Sequence, residues 1–269
     1  MTFRKFLPTL TLSKREKFVI TSIILCLGFV GINFVGDQYR FLSITALTLL
    51  TLILFIFSLW EGLGINPTLL TLILPPLFTL GVGIFWFLLP TNIFARLPVV
   101  ALFGLGIYSL SLTANIFTVS AIRTIALVRA ARGVGFVLTL LTAFLLFDAI
   151  ISIKASIFIT GLGIALVSLF LFLQGLWTSS LEKKDLETNN IFLYSFVFAW
   201  AISQISILLY LWPSGVVVGS LFLTVGIYIL LGLGQAQLEE RFFKQTIQEY
   251  LTVGLVVFVT MIFATHWGG

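Results

Sequence analysis

The sequence predicts an all-α fold, a polytopic transmembrane helical bundle of about nine spans with its N-terminus inside and its C-terminus outside. Three observations predict it. Only 9% of the residues are charged while 59% are hydrophobic, and the mean hydropathy is +1.17; a soluble domain keeps about a quarter of its residues charged. A chain of 269 residues cannot cover a water-facing surface with so few charges, so its solvent is lipid. Nine apolar stretches also approach the length of about 20 residues that carries a helix across roughly 30 Å of hydrocarbon. The basic residues, finally, fall unequally on the two sides those stretches define.

Residues 1–17 read as a basic cytoplasmic tail, and residues 18–269 as a single integral membrane domain. The basic start resembles a secretory signal, but no Ala-x-Ala type cleavage site follows, so Phe18 to Val35 is read as a retained first span. Gly-Asp-Gln-Tyr-Arg at 36–40 separates it from Phe41 to Trp60, and Glu-Gly-Leu-Gly-Ile-Asn-Pro at 61–67 precedes Thr68 to Leu89. The fourth span, Leu97 to Phe117, is expected to continue to about Arg123, with a turn near Arg129 to Gly133 leading into Gly133 to Ile153. Lys154 alone divides that span from Ala155 to Trp177. A charged loop at 178–190 then leads to Ile191 to Trp212, Ser214 to Leu233 and Leu251 to Trp267.

With the N-terminus inside, twelve of the fifteen Lys and Arg residues are cytoplasmic, and only Arg40, Arg96 and Lys154 are outside. Short cytoplasmic loops retain such an excess. If the third segment dipped in without crossing, the split would be seven against eight. Trp60, Trp86, Trp177, Trp212 and Trp267 fall near span ends, where headgroups favour the indole ring, and only Trp200 is mid-span. The net charge of +5 follows from this positive-inside bias, and nucleic acid is discounted as a partner. The expected location is the cytoplasmic (plasma) membrane.

Several chemistries are excluded by what is missing. No Gly-x-x-x-x-Gly-Lys-Ser/Thr loop is present. One histidine, His266, and one cysteine, Cys26, cannot build a His/Cys metal site or a bis-histidine haem, so no cofactor is expected. Cys26 reads as a small buried apolar side chain. Paired intramembrane acids are absent, because Asp148 is alone in its span. Asp37 and Arg40 in a first outer loop resemble, in placement alone, multi-span glycosyltransferases that use lipid-linked sugars. Those enzymes carry a long loop there, this loop has about five residues, and no residue is carried over.

The candidate cavity or ion site is Asp148 with Pro75 and Pro76. An ionisable group inside a span costs several kcal/mol unless paired or hydrated. Asp148 lies about one and a half turns before its helix ends, and it either serves a proton or cation or bonds Ser152 or a neighbouring helix. Pro75 and Pro76 remove two backbone donors and force a kink or break, with Gly81 and Gly83 loosening the next turns. Broken helices at membrane depth line transporter sites, although kinked packing helices are commoner.

Arg123, Arg129 and Arg132 stand in a region without an acidic residue from Gly62 to Phe147. They read as orientation anchors, or as contacts for anionic lipid headgroups, since a guanidinium grips phosphate bidentately. Glu182, Asp185, Glu239 and Glu240 could pair with them from other loops. Asn33, Asn115, Gln174 and Gln204 are expected to bond between helices. Gly215 and Gly219 form a Gly-x-x-x-Gly that permits close packing or a helix-helix oligomer. Glu240 and Lys244 stand at helical i, i+4 spacing. A transporter-like or carrier protein for a small or lipid-like solute is the favoured reading; a membrane-embedded enzyme acting on a lipid-linked substrate through Asp37 and Asp148, and a scaffold or assembly subunit, are the alternatives.

Overall fold

The computed structural model describes residues 13–35, 37–60, 67–89, 93–121, 126–181 and 188–265. Among them the chain forms nine α-helices and no strand: α1 Lys14–Gly31, α2 Arg40–Leu59, α3 Leu74–Leu88, α4 Ile93–Ser120, α5 Val128–Ser152, α6 Ile157–Ser180, α7 Thr188–Tyr210, α8 Val216–Leu238 and α9 Lys244–Ala264. Eight spans are long and apolar enough to cross a membrane. The helix outside that count, α1, opens on Lys14, Arg15, Glu16 and Lys17, closed by a Ser13/Glu16 capping box. The Glu16 carboxylate accepts from the Ser13 N–H and the Ser13 hydroxyl from the Glu16 N–H, and the apolar run from Phe18 follows. Lys14, Arg15 and Lys17, read from the sequence as tail, are therefore the first turn of α1.

Contacts between helix termini place Arg40, Arg96 and Lys154 at one end of the bundle and Arg129, Arg132, Arg241 and Lys244 at the other. We call these the Lys154 end and the arginine end. At the centre, α5 packs against α3, α4, α6 and α8. Helices α1 to α4 meet in an aromatic core, where Phe29 stacks on Phe103 at 4.6 Å and meets Trp86 edge-on at 4.9 Å. Buried hydroxyls tie α2 to α3, with Thr51 and Thr79 3.1 Å apart. Helix α7 packs on α6 and α8. Helix α9 rests on α8, and only 6% of its span is buried against 50% for α5.

Four expectations are corrected. Pro75 and Pro76 do not kink the middle of a helix. They occupy the first turn of α3, where their missing N–H groups cost nothing, and the break comes before them: Pro67–Leu72 is a 3-10 helix. Arg129 and Arg132 lie in the first turns of α5, not in a corner, because Val128 to Ala131 already winds as helix. Glu240 and Lys244 do not share a helix, since Glu240 takes a left-handed conformation (φ 58°) that ends α8, and α9 begins at Lys244. Trp86 and Trp177 do lie in the last turns of α3 and α6, but they are buried against protein and do not present their rings outward, whereas mid-span Trp200 is 60% exposed.

Candidate functional site

Asp148 is 4% exposed on α5, and its Oδ1 accepts the Ser220 hydroxyl of α8 at 3.4 Å. The partner is thus a neighbouring helix and not Ser152. Ser220 also donates toward the Val217 carbonyl at 3.0 Å, so the carboxylate shares this hydroxyl. Gly219, beside Ser220, is buried and faces Ile151 of α5, where an added Cβ would stand 3.8 Å from its Cδ1. That contact lets α8 approach α5 one turn beyond Asp148. Gly215 is the N-cap of α8, outside the helix proper. The Gly-x-x-x-Gly pair therefore does not form one face within a helix.

Ile151 and Gly219 form part of the wall of a cavity of about 380 Å³ at the Lys154 end, together with Lys154, Thr160, Tyr210, Trp212 and Ser214. Four helix termini meet there, those of α5, α6, α7 and α8. The Trp212 indole donates to the Thr265 hydroxyl at 2.9 Å and so anchors α9 beside it.

At the arginine end the same helices close on a second polar group. Arg132 forms an ion pair with Glu239 at the end of α8, and Arg241 approaches the other carboxylate oxygen at 3.5 Å. Glu239 is one of the acids the sequence offered as a partner. Beneath the pair, Gln174 of α6 meets Thr139 of α5 at 3.5 Å, and Gln235 of α8 donates to the Gly175 carbonyl at 2.9 Å. The void among Arg132, Thr139, Gln174, Thr178 and Gln235 has a volume of about 10 Å³, room for one water at most. A groove of about 300 Å³ outside it runs between α8 and α9, past Glu239, Arg241 and Tyr250.

Helix α6 connects these regions. At about 100° per residue, Thr160, Ser168, Gln174 and Thr178 fall within about 120° of its circumference. All four are buried, and the Ser168 hydroxyl has no hydrogen-bond partner. Gln204, expected to bond between helices, is instead exposed on α7.

The predicted site residues are not brought together. Pro75 is buried in α3, where its carbonyl accepts the Thr79 hydroxyl at 3.0 Å, while Asp148 faces α8. Arg129 is exposed on α5, Arg132 is paired, and Arg123 lies outside the described residues, as do His266 and the side chain of Asp37. Sequence reasoning missed the cavity lining. Thr160, Tyr210 and Ser214 are unremarkable in sequence, and Lys154, Trp212, Gly215 and Gly219 were singled out for topology or packing and not as one wall.

Eight apolar helices of spanning length among the described residues define an integral membrane protein. The chain belongs to the family described as protein of unknown function DUF5656, which it matches over residues 29–264. No curated protein and no solved structure matches it.

Proposed function

We propose that the protein is a membrane carrier for a small or lipid-like solute, moved through the α5, α6 and α8 group, with its arginine end in the cytoplasm of the cell and its bundle in the plasma membrane. The observation that carries this reading is the set of buried polar side chains on one face of α6, from Thr160 at the 380 Å³ cavity through Ser168 to Gln174 and Thr178 beneath Arg132, with Ile164, Val167 and Leu171 interleaved. The face carries polar groups at both ends and at Ser168, whose hydroxyl has no hydrogen-bond partner among the described residues, although a polar contact between spans contributes only about 0.6 kcal/mol. Asp148, one turn inside the cavity wall, is the ionisable group whose charge the transported species or a coupled proton would meet. The unequal division of basic residues supports the orientation.

Reconstitution in liposomes tests the reading. The wild-type protein is expected to move an ion, small solute or reporter lipid, and Asp148→Asn to slow that movement by about tenfold or more without unfolding. No movement across a broad panel, with the variant indistinguishable from wild type, would overturn it. Orientation is checked by labelling single cysteines in a Cys26→Ala background: Lys154→Cys should react from outside and Lys244→Cys only from inside.

A further inference from the structure

We propose that the cavity at the Lys154 end is a binding site for a phosphate-bearing ligand, its anionic head seated between Lys154 and the start of α8. This deepens the carrier reading by naming a ligand class, and rests on it for movement though not for binding. Four polar groups of the wall, the Lys154 ammonium and the hydroxyls of Thr160, Tyr210 and Ser214, make no hydrogen bond to any described residue. Thr160 is the telling one. The residue is only 5% exposed, and its hydroxyl, with no partner among the described residues, is accessible from the cavity it lines. Lys154 and Tyr210 stand on the exposed side of the wall, and a ligand that accepts hydrogen bonds would enter past them toward Thr160.

The charge on the wall has one sign. Lys154 is its only ionisable group of ordinary charge, and no carboxylate lines it. Asp148 lies six residues further in, about 9 Å along α5, and is engaged by Ser220. The N-terminus of α8 adds to the positive potential. Gly215 and Val216 are on the wall, and the Gly215 N-cap supplies no side chain to the first amides of a 23-residue helix, which leaves donors and a positive dipole end for an anion. Lys154 itself sits at φ 51°, a left-handed position where glycine is the ordinary choice. The lysine is held there at a backbone cost and is part of the cavity wall.

The remaining wall is apolar, from Ile151, Leu209 and Val216, with Tyr210 and Trp212 at the rim. An anionic head with an attached hydrocarbon chain fits that division, and the shared chemistry is the phosphate. The experiment separates a lipid source from a free one. Protein in a maltoside detergent is titrated with a short-chain phosphatidic acid, with the matching diacylglycerol, and with inorganic phosphate, and heat of binding is measured. The lipid phosphate is expected to bind and diacylglycerol not to. Lys154→Gln should weaken binding about tenfold, the scale of one lost charge-assisted contact, and Thr160→Val several-fold. Lys154→Arg should retain binding, and Lys244→Gln, at the other end, should bind as wild type.

Thermal unfolding of each variant shows that the loss is not misfolding. Inorganic phosphate binding as tightly as the lipid makes the free anion the ligand and upholds the site. Failure of both phosphates to bind, or binding unchanged in Lys154→Gln, overturns it. Binding without any movement in vesicles keeps the site and removes the carrier reading, whereas movement undiminished in Lys154→Gln, with no phosphate bound, removes the site.

Discussion

At the arginine end of the α5, α6 and α8 group, cations and polar side chains are committed to one another. Arg132 and Arg241 share Glu239, Gln174 meets Thr139, Gln235 bonds Gly175, and the space left over is about 10 Å³. At the Lys154 end the same helices leave a lysine and three hydroxyls unspent around about 380 Å³. The arginines are more numerous, yet the lone lysine is the more available charge. Counting basic residues reports orientation; whether a charge is free to bind depends on the acid that the fold brings to it, here across 107 residues.

The comparison is most strongly tested by breaking the committed end. Arg132→Ala leaves the partly buried Glu239 with Arg241 alone and should cost about 2 kcal/mol, less than the 3–5 kcal/mol of a fully buried pair. Detergent denaturation measures it, and Arg132→Gln with Glu239→Gln should recover most of the loss. A full cost in the double variant would show that packing, and not the charge pair, holds this end.

A smaller effect separates conformation from charge. Glu240 and Lys154 both occupy left-handed positions, one at each end. Glycine at either should stabilise by about 1 kcal/mol. Only Lys154→Gly should also lose phosphate binding, so equal binding in both variants would erase the contrast between the ends. The smallest effect concerns the cavity rim: Trp212→Phe removes the bond to Thr265 and should cost about 0.6 kcal/mol. A markedly larger loss would mean that α9 is held mainly there.

The number and order of helices were legible because lipid imposes a length, and turns such as Gly-Asp-Gln-Tyr-Arg at 36–40 interrupt the apolar runs sharply. The start of α5 was not. Arginines at a cytoplasmic boundary are compatible with a turn or a first helical turn, and only packing of Val128 and Ala131, both buried, decides for helix. Asp148 was legible as an isolated charge in an apolar run, but Ser220, its partner, stands on a helix 72 residues away. The cavity was illegible for the same reason: its wall is assembled from the termini of four helices, each contributing one to three residues.

The 3-10 segment before α3 has a further consequence, for length. The 15 residues of α3 rise about 22 Å, short of the roughly 30 Å of a hydrocarbon core. The six residues of Pro67–Leu72 add about 12 Å at the steeper 3-10 rise, where an α-helix would add about 9 Å. The third span thus reaches bilayer thickness through a change of winding at Ile73. Rewinding those six residues would shorten it by about 3 Å, giving the span a local means of matching a thinner bilayer without tilting α5 beside it.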